Sequence, residues 1–303
     1  MSSPPVVAAV DGSDDSLRAL DWALDAARRR GAPLRAVHVR QYAAWVPDVL
    51  VAGPPNGEDD PVLDHARIHL AGRTDDGTPV EYVALDGLPG ALLPELGADA
   101  QLLVLGSRGR GGFASLLLGS NGLAAARDAE CPVVVVPRPG RGVHDEAGEA
   151  PPAPGPRVVV GLNVDSPDEA VAEFAFSEAA RRGARVRVVV AYAWPARTWL
   201  APNEYISPLI DQGEVENEVR TLAEGFLDPH RARHTDVPAD LHVAPGDAAG
   251  HLVAASRDAE LVVVGRHRRR LLAPARMIGS VTHAVLLHAA SPIAVVPPSP
   301  PEE

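Results

Sequence analysis

Apolar positions along the chain fall into short continuous runs separated by stretches of helical period. Val6 to Val10 is an unbroken apolar run that stops at Asp11-Gly12-Ser13. After it Leu17, Leu20, Ala23, Leu24 and Ala27 recur at helical spacing as far as Gly31. A buried strand followed by an amphipathic helix is predicted. Leu34 to Val39 makes a second strand, and residues 40–62, with Pro47, Pro54, Pro55 and Pro61, read as an unusually long loop. Val62 to Ala71 predicts a helix, Val80 to Leu85 a third strand, and Leu88 to Leu96 a short helix opened by Gly87. Leu102 to Leu105 is a fourth strand that breaks at Gly106. A loop rich in glycine and arginine follows, then an alanine- and leucine-rich helix from Gly119-Ser120, then a fifth strand over Val133 to Val136. Strands alternating with helices in this way predict right-handed crossovers and a parallel sheet, hence an α/β fold.

The whole plan then repeats. Val6 to Arg40 aligns without a gap on Val158 to Tyr192, so that Trp22 meets Phe174, Arg29 and Arg30 meet Arg181 and Arg182, and Gly31 meets Gly183. Gly87 returns as Gly246, Leu102 to Gly106 as Leu261 to Gly265, Gly119-Ser120 as Gly279-Ser280, and Cys131-Pro132 as Ser291-Pro292. The expected layout is a first domain over residues 1–138, a linker over 139–156, a second domain over 157–297 and a tail over 298–303. The linker is assigned on its content of Pro, Gly, Ala and acidic residues without periodicity.

Composition narrows the picture. A length of 303 residues suits two domains, and an aromatic content of 4% leaves Val, Leu, Ile and Ala to build the cores, as in sheets covered on both faces. A formal charge of -12 argues against a nucleic-acid partner, which needs a net basic face. The single cysteine, Cys131, excludes an intramolecular disulfide, and the start of the chain lacks the basic and apolar segments of a signal peptide. No apolar run is long enough for a membrane span, so a cytoplasmic protein without membrane contact is expected.

The chemistry concentrates in the loop after the fourth strand. Gly106, Gly109, Gly111, Gly112 and Gly119 can bring backbone amides close to an anion, and a helix N-terminus at Gly119-Ser120 adds unpaired amides and a favourable dipole. The loop is not a P-loop, because the chain contains no lysine, and its late position is wrong for a dinucleotide fingerprint. Gly106, two residues, Gly109, nine residues and Gly119-Ser120, followed by a helix and Cys131-Pro132-Val133-Val134-Val135-Val136-Pro137, resembles the ATP-binding branch of the universal stress protein family. The resemblance covers both halves, the first better than the second.

That resemblance implies two tandem doubly wound domains, each with a five-stranded parallel sheet of order 3-2-1-4-5 flanked by helices. In such a sheet ligands bind beyond the carboxyl ends of the strands where the order reverses, here between the first and fourth strands. Asp11 ends the one and Gly106 the other. Phosphates are expected on the amides around Gly106, Gly109 and Gly119, with the Ser120 hydroxyl and Asn121 beside them and Arg108 or Arg110 supplying positive charge. Asp11, with Gly12 and Ser13 after it as further ligand contacts, suits sugar hydroxyls or an amino group as an acceptor, and reaches phosphate only through Mg²⁺. Asp14 or Asp15 are candidates to hold that ion. The resemblance adds the backbone of Val39 against adenine. The ligand implied is ATP, with or without Mg²⁺. A turn without ligand, with Ser120 as a simple helix cap, is the competing reading of the same residues.

The second half departs from this pattern. Asn163 stands for Asp11, Val164-Asp165 for Gly12-Ser13 and Arg268 for Gly109, and the interval from Gly265 to Gly279 is one residue longer. Asn163, Gly265, Gly279 and Ser280 are its candidate ligand contacts, with the basic run Arg266 to Arg270 as a source of charge. In the first half Asn121-Gly122 replaces an apolar residue and a hydroxyl often found in the family. His65 and His69 share a helix face but lack a third metal ligand, and Cys131 lacks a basic neighbour in sequence to activate it. No catalytic residue is assigned. The function expected is a stress-response or growth regulator acting through nucleotide-dependent conformation or assembly, with a homodimer and an unidentified protein partner. A nucleotide-independent dimerising module, pairing through the last strands, and a slow ATPase are the alternatives.

Overall fold

A computed structural model describes residues 3–41, 60–74, 77–109, 118–140, 155–194, 211–266 and 278–299. The first half runs β1 (Val6–Ala9), α1 (Asp14–Arg30), β2 (Leu34–Arg40), α2 (Pro61–Leu70), β3 (Val80–Asp86), α3 (Pro89–Glu95), β4 (Leu102–Gly106), α4 (Ser120–Asp128) and β5 (Val133–Val136). The second repeats it as β6 (Arg157–Gly161), α5 (Glu169–Arg182), β7 (Arg185–Tyr192), α6 (Gln212–Arg233), β8 (Ala239–Pro245), α7 (Ala248–Ala255), β9 (Leu261–Gly265), α8 (Ser280–His288) and β10 (Ile293–Val296). Among the described residues no helix is long and apolar enough to cross a membrane.

Each half has the doubly wound order 3-2-1-4-5, with every neighbouring pair parallel. The two sheets do not stay separate. β5 and β10 pair antiparallel, Val134 opposite Ala294, and join them into one ten-stranded sheet of order β3-β2-β1-β4-β5-β10-β9-β6-β7-β8. All four residues of each joining strand are buried, so Val-rich edges that would otherwise invite another chain are consumed within this one. The edges that remain are β3 and β8.

Side-chain alternation divides the core between the two faces. Val6, Ala8 and Val104 pack with α1 and α2, and their second-half counterparts with α5 and α6. Val7, Leu103 and Leu105 pack with α3 and α4, and theirs with α7 and α8. Each fully buried Val or Leu contributes about 1.5–3 kcal/mol, which is why aliphatic side chains suffice without aromatics. α1 and α5 end on Gly31 and Gly183 in the left-handed conformation, φ 58° and 59°. Gly183→Ala is therefore expected to lower stability by about 1 kcal/mol in a urea titration, because a Cβ is strained there although space is open.

α1 and α5 also meet each other, and the repeat makes the contact reciprocal. Arg30 lies over the Phe174 ring at 6.0 Å, and its counterpart Arg182 over the Trp22 ring at 5.4 Å. Glu178, which aligns with Ala26, breaks the symmetry. It is 0% exposed and joins Arg30 at 2.7 Å, Arg181 at 3.2 Å and Arg182.

Candidate functional site

β1 gives way to a turn that immobilises Asp11. Gly12 takes φ 78°, and Ser13 caps α1 by accepting from the Ser16 amide at 3.2 Å. The Ser13 amide and hydroxyl both donate to Asp11 Oδ1, at 3.0 and 2.6 Å, and the Asp11 amide donates to Ser16 Oγ at 3.3 Å. The carboxylate is thus aimed by its own turn. Gly109 closes on it from the β4 side: a Cβ there would stand 2.4 Å from Asp11 Oδ2. Gly106 has a different partner, since a Cβ on it would lie 2.7 Å from the backbone of Asp15 in the first turn of α1. Its role is to let β4 pass that helix.

The amide of Gly119 donates to the carbonyl of Ser107 at 2.9 Å, so it closes the loop rather than facing a ligand. Gly119 is the N-cap of α4 and provides no capping side chain; Ser120 is the first helical residue. The free donors therefore belong to the next residues, Ser120, Asn121 and Gly122, with the Leu123 amide returned to Gly119. Gly122 is where a side chain would strike Leu105 at 2.9 Å, which accounts for glycine in place of a hydroxyl residue.

These elements enclose a cavity of about 680 Å³ beyond the carboxyl ends of β1, β2 and β4. Val37, Val39, Leu93 and Leu105 contribute apolar wall, and Asp11, Gly106, Arg108, Gly109, Gly119, Ser120 and Asn121 line it as well. Gly12 and Ser13 stand behind Asp11 and do not line it. Arg108 is the only guanidinium among the lining residues and makes no hydrogen bond or ion pair among the described residues. An uncapped helix N-terminus, a close glycine and a charge without a partner fit an anionic group. Arg110 lies outside the described residues.

Asp15 is 1% exposed and held by Arg18 and by Arg138 Nε at 2.8 Å, with the Ser107 hydroxyl at 3.4 Å. It is a structural ion pair joining α1 to the exit of β5, and cannot serve Mg²⁺ without breaking it. Sequence reading missed His38, a cavity residue, and its partner Asp60, which stands outside the lining. His38 lines the cavity, and its Nδ1 lies 2.7 Å from Asp60 Oδ2. Asp60 Oδ1 accepts the Val62 and Leu63 amides as the cap of α2. An Asp before Pro61 was the available signal.

In the second half Asn163 Oδ1 accepts the Asp165 amide at 3.2 Å, forming a local turn. α5 starts three residues later than the repeat implies, capped by Asp168, and Ser299 Oγ accepts the Ala170 amide at 3.2 Å beside it. Gly265 passes Val171 of α5 so closely that a Cβ on it would lie 3.0 Å from Val171 Cγ2, its carbonyl accepts from Thr282 Oγ1 at 2.7 Å, and Gly279 leaves α8 uncapped with Ser280 first. Arg266 reaches the first half and donates to the carbonyl of Arg127. Residues 267–277, with Arg268, lie outside the described residues.

His69 Nε2 pairs with Asp21 at 2.8 Å, and among the described residues no three His, Cys, Asp or Glu side chains converge as a metal site. Cys131 is buried, and burial pushes its thiol up to about 11 despite backbone amides and Arg266 nearby, which leaves it inert.

The universal stress protein family model matches residues 4–137 and 156–297. Universal stress protein Rv2005c of Mycobacterium tuberculosis (strain ATCC 25618 / H37Rv) is 32% identical over 298 residues, covering 96% of each chain. Among solved structures, a universal stress protein of Pseudomonas aeruginosa UCBPP-PA14 superposes with a TM-score of 0.63 at 16% identity, covering 97% of this chain and 93% of that one. One from Archaeoglobus fulgidus DSM 4304 gives 0.62 at 15% identity, covering 98% and 99%. These two likenesses concern the fold.

Proposed function

The chain belongs to the universal stress protein family, and from that premise we propose that its first half binds ATP and that the protein acts as a nucleotide-responsive regulator. The observation that carries this reading is that one cavity is lined by the uncapped start of α4, by the aimed carboxylate of Asp11 and by Arg108, which has no partner among the described residues. Phosphates take the Ser120, Asn121 and Gly122 amides and Arg108, the ribose hydroxyls donate to Asp11, and the base lies toward Val39. Binding rather than turnover is the function, since Asp15 is committed to Arg18 and Arg138 and no second carboxylate stands free beside Asp11 among the lining residues. α4 leads directly into β5, and β5 joins the halves, so a ligand at the start of α4 acts on the element that couples them. A homodimer or a protein partner would use surfaces other than β5 and β10, which are already paired.

The test is to denature purified protein, quantify the nucleotide released by chromatography and mass spectrometry, and titrate ATP into stripped protein. One ATP per chain is expected, because Asn163 brings no charge where Asp11 stands in the first half and its one acceptor oxygen takes the Asp165 amide, while Thr282 donates to the Gly265 carbonyl. Arg108→Ala should weaken binding by about tenfold, the order of one charge-assisted bond. No release and no binding of added ATP would overturn the reading in favour of a nucleotide-independent interaction module, and two ATP per chain would overturn its asymmetry.

A further inference from the structure

The polar groups of the cavity fall into two sets. At the β4 and α4 end stand Arg108 and the uncapped amides. At the β2 end, two strand spacings away or about 10 Å, stand His38 and Gln41. Between them stand Asp11, assigned above to the ribose, and Ser16, which donates to the Ser13 carbonyl at 2.8 Å and accepts from the Asp11 amide. The β2 end is therefore where a ligand anchored through phosphate meets its second set of hydrogen-bonding groups.

Asp60 decides what His38 offers there. Burial pushes the Asp60 carboxyl up, but the His38 hydrogen bond and the Leu63 and Val62 amides outweigh it and hold the group below the usual carboxylate range. Ionised, Asp60 only accepts, so the bond at 2.7 Å makes His38 Nδ1 the donor. In the neutral imidazole Nε2 is then an acceptor, and it has no partner among the described residues. Gln41 also lines the cavity, with no partner among the described residues, but its amide can donate or accept and suits either kind of purine edge.

We propose that His38, held by Asp60, is the specificity-determining residue for the base: Nε2 accepts from the 6-amino group of adenine and refuses the 6-oxo group of guanine. The inference rests on the nucleotide reading of this cavity and adds to it a choice between purines. The opposed polarity of those two groups is what a fixed acceptor can detect. The apolar Val37 and Val39 beside it cannot.

Asp60→Asn reverses the choice by a defined route. The Asn carbonyl must stay with the Val62 and Leu63 amides to cap α2, which turns its NH₂ toward His38 Nδ1. Nδ1 becomes the acceptor and Nε2 carries the proton. The experiment is calorimetric titration with ATP and with GTP at pH 8 on the wild type, Asp60→Asn and His38→Leu. The ¹⁵N shifts of the His38 ring are recorded alongside. The wild type should favour ATP by roughly tenfold or more, with the proton on Nδ1. Asp60→Asn should move the proton to Nε2 and shift the ratio toward GTP, and His38→Leu should bring it near unity while ATP still binds. A wild type indifferent to the base, a ratio unmoved in the variants, or equal loss of both nucleotides in Asp60→Asn would each sink the proposal. A wild type that binds neither nucleotide removes the nucleotide reading itself, and this proposal with it.

Discussion

Replacing Gly119 by Asp is expected to abolish ATP binding while raising the melting temperature of the nucleotide-free protein. Gly119 sits at φ -75° and ψ 153°, ordinary for an N-cap of any residue type, and a Cβ there meets only the Ser107 carbonyl at 3.9 Å. The Asp side chain therefore fits. As N-cap it accepts from the amides of the first turn and sets its charge against the helix dipole, together worth about 0.5–1 kcal/mol over glycine. Those amides are the ones assigned to phosphate. Each charge-assisted bond contributes about 1.5–3 kcal/mol, so losing two weakens binding about 100-fold or more before like-charge repulsion is added. Gly119→Asn occupies the same amides without the charge and should lose less affinity. Differential scanning calorimetry with and without ATP reads both effects on one sample. A lower melting temperature without ATP would show that α4 does not begin at an uncapped turn. A variant that gained stability and kept full affinity would place the phosphates elsewhere.

The fold was legible because both of its signals are periodic. Continuous apolar runs marked the strands, helical spacing marked the covering layers, and the gapless match of Val6 to Arg40 on Val158 to Tyr192 exposed the duplication. Even the joint could be expected, since two apolar edge strands ending in Pro137 and Pro297 have few ways to be buried. What escaped depended on neighbours distant in sequence. Asp15 reads as an exposed residue of a first helical turn and is buried because Arg138 arrives from the other end of the half. His38 and Asp60 stand 22 positions apart in sequence, and the glycines of that phosphate-like stretch turned out to have separate reasons. Gly106 clears α1, Gly109 clears Asp11, Gly119 gives its amide away and Gly122 clears Leu105. Spacing grouped these glycines without telling their reasons apart. Glu178 escaped for the same reason, since one of its partners, Arg30, comes from the other half.

Glu178→Ala is expected to cost about 3–5 kcal/mol, the penalty for leaving buried charges unpaired. Arg30 and Arg182 have side chains only 4% and 5% exposed, and with Glu178 gone Arg30 would keep the Phe174 ring and Arg182 the Trp22 ring and Glu260 at 3.9 Å. Since Arg30 belongs to α1 and Glu178 to α5, the loss falls on the contact between halves. Calorimetry should show the single transition of the wild type broaden or divide as the halves uncouple. Replacing Arg30, Glu178 and Arg182 together by Leu should restore most of the stability, because the pair is costly to break but not costly to remove whole. The pH dependence separates charge from packing. Burial pushes the Glu178 carboxyl up, but Arg182 and Arg30 outweigh it and hold it below the ordinary value of about 4.3. A depressed carboxylate contributes its full stabilisation above the unfolded value and loses it as pH falls through the folded one. Asp60 and Glu173 are depressed as well, so the acid limb of the wild type is shared. The difference between wild type and Glu178→Gln isolates one group: it should stay level from about pH 8 to 5 and shrink below about 4. A difference that ignored pH would make Glu178 a packing residue. One that vanished on acidification would show that the two halves are held in register by a charge, on the sheet face opposite the helix that starts at the ligand cavity.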